Sequence, residues 1–312
     1  MSTGCARQPE PSEVDSLRVA LLLAGPENDE GWNQSAYEGL EAIRQRLSAT
    51  TRKIAVRGTR SEIEQAFVRA ADEGFDLVIG HGVEFNAPAA SIAGAHPDVA
   101  FVTTGGEEVT DNLLSVELRV EEASYCLGIL AGHLSKSGRL SALSGEPYEP
   151  VKRVVEGFRR GARSVQPGIE VLEDYVGSWS DVALAKEKAF AHADAGADVF
   201  FQNADAAGAG VFEACRIRGL LAFGCNRDQK SKAPDLILAS AVADIPETFV
   251  ALAQEVMQGR FRGGRRSIGM NDGKVRVVLN EALRARVPEA AVAVMNAAAA
   301  SIADGSLRVC DR

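Results

Sequence analysis

"AADEGFDLVIGHG", residues 70–82, is echoed 122 positions later by "HADAGAD", residues 192–198. Ala71, Asp72, Gly74 and Asp76 of the first copy stand opposite Ala193, Asp194, Gly196 and Asp198 of the second. Each copy closes a run with helical spacing at a glycine-containing turn, and the first then enters the apolar run "FDLVIGHG". That order reads as helix, turn and buried strand. The same offset relates Ala20 to Ala142, Gly39 to Gly161, and the "AF" pair at 100–101 to that at 222–223. Self-similarity at one fixed period marks a duplicated unit.

Working outward, "LRVALLLAG" (17–25) precedes a predicted helix at 34–48. "KIAVRG" (53–58) precedes another at 61–73, where Ser61 and Glu64 have the spacing of a capping box. "DVAFVTTGG" (98–106) is a further strand ending in small polar residues. Continuous apolar strands alternating with amphipathic helices imply a parallel sheet covered on both faces. The duplication therefore predicts two similar α/β lobes. Such lobes hold ligands at the carboxyl ends of their strands. The repeat thereby names the cleft loops: residues 25–34, 81–87 and 103–108 in one lobe, and 144–150, 203–208 and 225–229 in the other.

With 312 residues, 46% hydrophobic and 25% charged, the chain has the composition and length for two cored lobes. Net charge is −9 and the 34 basic residues are scattered, so the electrostatic footprint of a nucleic-acid binder is missing. No run of about 18 apolar residues appears, the length a membrane-spanning helix requires. The five cysteines, at 5, 126, 215, 225 and 310, form no CxxC pair and no metal cluster. Cys126 and Cys215 read as small apolar packing groups. Cys5 sits in "STGC" before the polar stretch "ARQPEPSEVDS", a pattern expected of a lipid-modified N-terminus on a flexible tether.

The chain has only two tryptophans, and both fall in predicted cleft loops. Trp32 lies in "GPENDEGWNQSAYEGL" (25–40) and Trp179 in "DYVGSWSDVALAKEKAF" (174–190), before a helix capped by Ser180 or Asp181. The two indoles read either as hinge packing or as platforms for the two faces of a flat ligand.

Several strings together resemble the basic membrane lipoprotein family, the purine nucleoside receptors of bacterial ABC transporters. They are "GWNQSAYEGL" (31–40), "GHGVEFNAPAASIAGAHPDVAF" (80–101), "YCLGILAGHLSKSGRLSALSG" (125–145), "VKRVVEGFRRGARSVQPGIEVLEDYVGSW" (151–179), "AGADVFFQNADAAGAGVFEA" (195–214) and "GCNRDQ" (224–229). The resemblance implies a type I periplasmic binding protein fold: two Rossmann-like lobes with parallel sheets joined by hinge strands. By that analogy residues 1–17 are the tether, 18–131 and 240–264 the first lobe, and 132–239 and 265–312 the second. It also implies a monomer anchored through Cys5 outside the cytoplasmic membrane, an ABC permease and ATPase as partners, and neither cofactor nor nucleic acid.

In the family two aromatic residues sandwich the purine, which assigns that role to Trp32 and Trp179, with Asn33 reaching base or sugar. Three positions depart from the family pattern. Thr104 or Gly105 stands where an Asp is common, Asn226 where an Asp holds ribose hydroxyls, and Ala243 where a hinge-strand Lys is expected; Asp228 is retained. Loss of these charges removes charge-assisted hydrogen bonds that fix ribose and purine edges. The expected solute is accordingly a planar heteroaromatic, a purine nucleoside or nucleobase first, a flavin or thiamine-like compound as the alternative. His81, Glu84, Phe85, Asn86, Glu107, Tyr148, Asn203 and Asp205 complete the candidates on strand-end loops, with loop capping as the competing role for each. A sensory module is a second functional expectation. An enzyme is not expected, because no nucleophile elbow, P-loop or metal motif appears, and His81 with Glu107 is the best acid–base pair on offer.

Overall fold

The computed structural model describes residues 16–310, so Cys5 and its tether lie outside the described residues. The first lobe is built from β1 (Arg18–Leu23), α1 (Trp32–Leu47), β2 (Thr50–Ala55), α2 (Arg60–Asp72), β3 (Leu77–His81), α3 (Asn86–Ala93), β4 (Ala100–Thr104) and β5 (Leu113–Leu118). The chain then runs through α4 (Val120–Leu134), β6 (Arg139–Ser144), α5 (Glu149–Val165), β7 (Glu170–Tyr175), α6 (Val182–Asp194), β8 (Val199–Asn203), α7 (Gly208–Arg218), β9 (Leu221–Asn226) and β10 (Ile237–Ala243). It closes with α8 (Ile245–Met257), β11 (Gly264–Ile268), β12 (Val275–Leu279) and α9 (Glu289–Ala303).

Two six-stranded sheets result, ordered β2-β1-β3-β4-β5-β11 and β7-β6-β8-β9-β10-β12. The order is the same in both, as the 122-residue repeat predicts. All pairings are parallel except that of β12 with β10. β1, β3, β4, β8 and β10 are buried almost throughout, because helices cover both faces of each sheet.

The lobes also exchange helices. α4 follows β5 in sequence but packs on α5 of the second lobe, and α8 follows β10 but packs on α1 of the first. The repeat-related glycines mark both junctions. A Cβ on Gly39 would lie 2.9 Å from the Phe249 ring, and one on Gly161 only 1.9 Å from the Tyr125 carbonyl oxygen. The lobe divisions expected at 131/132, 239/240 and 264/265 therefore differ from the strand and helix placement. The chain crosses near Arg119, after Ala243 and after Ile268, where Arg119 N–H donates to Ile268 O and Asp244 N–H to Lys274 O.

Two local expectations shift for identifiable reasons. The capping box of α2 is Thr59 with Glu62, whose side chains and backbones bond reciprocally; Glu64 instead pairs with Arg60 one turn along. α1 begins at Trp32, earlier than expected, because the Asp29 carboxylate accepts the N–H groups of Asn33 and Gln34 at 2.9 Å each. Asp181 caps α6, as one of the two expected residues. Cys126 and Cys215 are buried free thiols pushed up to about 12 by desolvation, consistent with packing roles.

Candidate functional site

In each sheet the strand order reverses where the first strand lies between its neighbours, so the loops after β1 and β3, and after β6 and β8, splay apart there. These loops face each other across a cavity of about 520 Å³ between the lobes. Trp32 and Trp179, one from each lobe, both line it.

Each indole is braced by its own lobe. Trp32 stacks on the His81 imidazole, with centroids 4.3 Å apart and planes 23° from parallel. His81 is fully buried and held neutral, its imidazolium pKa pushed down to about 3 by desolvation. Its Nε2 is 3.1 Å from the Trp32 carbonyl oxygen, which can only accept, so the proton sits on Nε2, and Nδ1 accepts from the Thr104 hydroxyl at 3.0 Å. A strand-end His and Thr thus fix the height and tilt of the first indole. Trp179 lies flat on the backbone at Gly145, where a Cβ would meet its ring at 2.3 Å, and its centroid is 6.3 Å from that of Tyr148.

A polar cluster joins the lobes beneath the rings. Asp205 Oδ1 accepts from the Trp32 backbone N–H at 3.1 Å and from Asn226 Nδ2 at 3.2 Å. Asn226 Nδ2 also donates to Asn203 Oδ1 at 3.2 Å. Asp205 and Asn226 both adopt left-handed backbone conformations, with φ of 47° and 66°. Such conformations cost energy in any non-glycine residue and gather at functional sites. Burial, then the nearby Asp29 carboxylate, pushes the Asp205 carboxyl up to about 7. Asp29 receives the Gly31, Asn33 and Gln34 N–H groups and the Asn33 side-chain amide, which fixes Asn33 in the cavity wall.

Of the sequence candidates, Trp32, Asn33, His81, Glu84, Thr104, Gly105, Tyr148, Trp179, Asn203, Asp205 and Asn226 line this cavity. Four do not. Phe85 is fully buried, turned into the first-lobe core edge-on to Phe67. Asn86 is spent on Thr103 Oγ1 and the Glu108 backbone. Glu107 is 89% exposed and pairs with Arg265, so it forms no acid–base couple with His81. Asp228 points away from the cavity, to Lys230. At Gly105 φ is 98°, a conformation that strains any side chain and that glycine adopts freely. Ala243 is buried at the end of β10. Asp29, Arg57, Glu117, Glu146 and Arg153 are lining residues that sequence reading passed over; only Asp29, ahead of a helix start, carried a local signal.

The lobes also touch at residues outside the cavity lining. Arg227 pairs with Glu38 at 2.8 Å, Lys232 with Glu30 at 2.5 Å, and Gln229 Nε2 donates to the Glu30 carbonyl at 3.3 Å.

A family model described as ABC transporter substrate-binding protein PnrA-like matches residues 16–299. A protein named as a purine-binding protein of Brucella abortus is 28% identical over 84% of this chain and 75% of its own length. The transcriptional activator protein med of Bacillus subtilis is 26% identical over 88% of this chain and 84% of its own. Among solved structures, a transcriptional activator of the comK gene from Bacillus halodurans superposes with a TM-score of 0.81 at 26% identity, covering 94% of this chain and 99% of that one. An ABC transporter solute-binding protein from Aeropyrum pernix has the same fold, with a TM-score of 0.85 at 19% identity over 94% of this chain and 92% of its own.

Proposed function

The chain belongs to the PnrA-like family of ABC transporter substrate-binding proteins, and on that premise we propose that it captures a planar, uncharged heteroaromatic solute, a purine nucleoside or nucleobase, and presents it to a membrane permease and its ATPase. The observation that carries this reading is the pair of braced tryptophans, one from each lobe, on a single cavity of about 520 Å³. That volume is in the range of small-molecule sites. Stacking on aromatic side chains contributes roughly 1–3 kcal/mol per base. The likeness to the purine-binding protein of Brucella abortus supports the same class of solute.

Charge favours an uncharged ligand. Asp29, Glu84, Glu117, Glu146 and Asp205 line the cavity against Arg57 and Arg153, and Arg153 is already paired with Glu117. A phosphate would meet more carboxylates than free cations. Capture requires no bond chemistry, only a closed state that fits the solute better than the open one. We assign the protein no catalysis, and place it outside the cytoplasmic membrane, lipid-anchored through Cys5, as a monomer. The relatives named as transcriptional activators support a second output, in which the same capture signals to a partner. A permease pull-down from membranes separates the two outputs.

A thermal-shift panel tests the solute class. Adenosine, inosine or their bases raise Tm while adenosine 5′-monophosphate does so at no less than tenfold higher concentration. A panel in which the monophosphate is preferred, or only sugars bind, refutes it.

A further inference from the structure

Two polar atoms of the cavity wall are left unused by the chain. Asp205 accepts both of its hydrogen bonds on Oδ1, and no donor among the described residues reaches Oδ2. Asn203 accepts on Oδ1, and its Nδ2 has no acceptor among the described residues. Neither atom is sealed in the protein interior, and both residues line the cavity. The orientation of the amides follows from chemistry. A carboxylate oxygen accepts, so Asn226 must present Nδ2 to it, and the same Nδ2 then requires Asn203 to present Oδ1. Asn203 Nδ2 is thereby the amide atom left without a partner. Asn226 Nδ2 thus links the two residues that carry the free acceptor and the free donor, each no more than 7% exposed.

We propose that Asp205 Oδ2 and Asn203 Nδ2 form the edge-reading pair of the cleft, selecting solutes whose ring edge carries an N–H beside an acceptor and rejecting planar rings without one. The pair rests on the reading of the cleft as a heteroaromatic site and narrows it. Hypoxanthine and guanine present such an edge at N1–H and O6, adenine at its amino group and N1, and flavins at N3–H and the flanking carbonyls. A buried donor or acceptor left unpaired opposite an alkylated edge costs more than the hydrogen bond itself contributes. Asp205 also holds the Trp32 backbone N–H, so the residue that reads the edge also positions the platform under the ring.

The test is calorimetric titration of the full chain at about pH 8, where the Asp205 carboxyl is ionised and Oδ2 accepts, with four parent and N-methyl pairs: inosine and 1-methylinosine, adenosine and N6,N6-dimethyladenosine, uridine and 3-methyluridine, riboflavin and 3-methylriboflavin. Caffeine, planar and without an N–H, is the control. Any parent that binds does so at least tenfold more tightly than its methylated partner. Asp205→Asn keeps Oδ1 for Trp32 and Asn226 but replaces the free acceptor with a donor, so it retains the fold and abolishes that discrimination. Asn203→Ala weakens the parent and leaves the methylated analogue unchanged. Equal binding of parent and methylated forms, or discrimination that survives Asp205→Asn, overturns the proposal. Binding of caffeine in preference to every parent overturns the edge pair while sparing the aromatic sandwich. Binding by none of the compounds overturns both.

Discussion

Asp205 is the residue at which structure and electrostatics meet. Its carboxyl is raised to about 7 from an ordinary value near 3.8, by burial first and the Asp29 charge second. The stability it contributes is full below the ordinary carboxylate value and is lost as pH rises through about 7. The ceiling of that loss is about 4 kcal/mol. Thermal melts at pH 5 and pH 8 are expected to show wild type losing several degrees more than Asp205→Asn between the two conditions. An identical pH response in both proteins removes Asp205 as the source. At this scale the sequence showed part of the site. The tryptophans were legible because large apolar rings are out of place in acidic loops. Phe85 was not, because a short 3-10 turn at Val83–Phe85 decides which way its ring faces, and that turn has no periodic signature. Gly145 and His81 as supports for the rings depend on contacts across the fold, which spacing along one strand does not reveal.

Helices α4 and α8 carry the link between the lobes. α4 is buried on nearly every side and α8 along one face, and an apolar pattern in the sequence states only that a helix is covered, not by which sheet. The exchange became visible through glycines. Gly161 lets α5 approach the α4 backbone at Tyr125, and Gly128 does the same from the other side, where a Cβ would lie 2.0 Å from the Phe158 carbonyl oxygen. Backbone atoms cannot swing away as a side chain does, so Gly161→Leu is expected to destabilise by about 1–3 kcal/mol or more. Urea denaturation measures it, and a midpoint unchanged from wild type contradicts the packing. The duplicated strands were legible because a buried parallel strand is apolar along its whole length. The lobe divisions were displaced because the crossings fall between β5 and α4, β10 and α8, and β11 and β12, elements whose patterns look alike in either lobe.

Across the whole molecule, two sheets of like strand order place one tryptophan from each lobe on a shared cavity. The partly exposed ion pairs between the lobes, Arg227 with Glu38 and Lys232 with Glu30, contribute about 1 kcal/mol or less each in solvent. On the proposed function, stacking of the solute on both walls adds roughly 1–3 kcal/mol per ring contact to closure. The chain's two tryptophans allow each wall to be observed alone. Trp32→Phe leaves Trp179 as the sole indole, and Trp179→Phe leaves Trp32. Fluorescence excited at about 295 nm, followed during titration with adenosine and with inosine, reports each wall separately through its own stacking contact. The account predicts that both single-tryptophan proteins change emission along a saturable curve, each giving the dissociation constant that calorimetry gives for the same variant. A saturable response from one tryptophan while the other stays silent would contradict it.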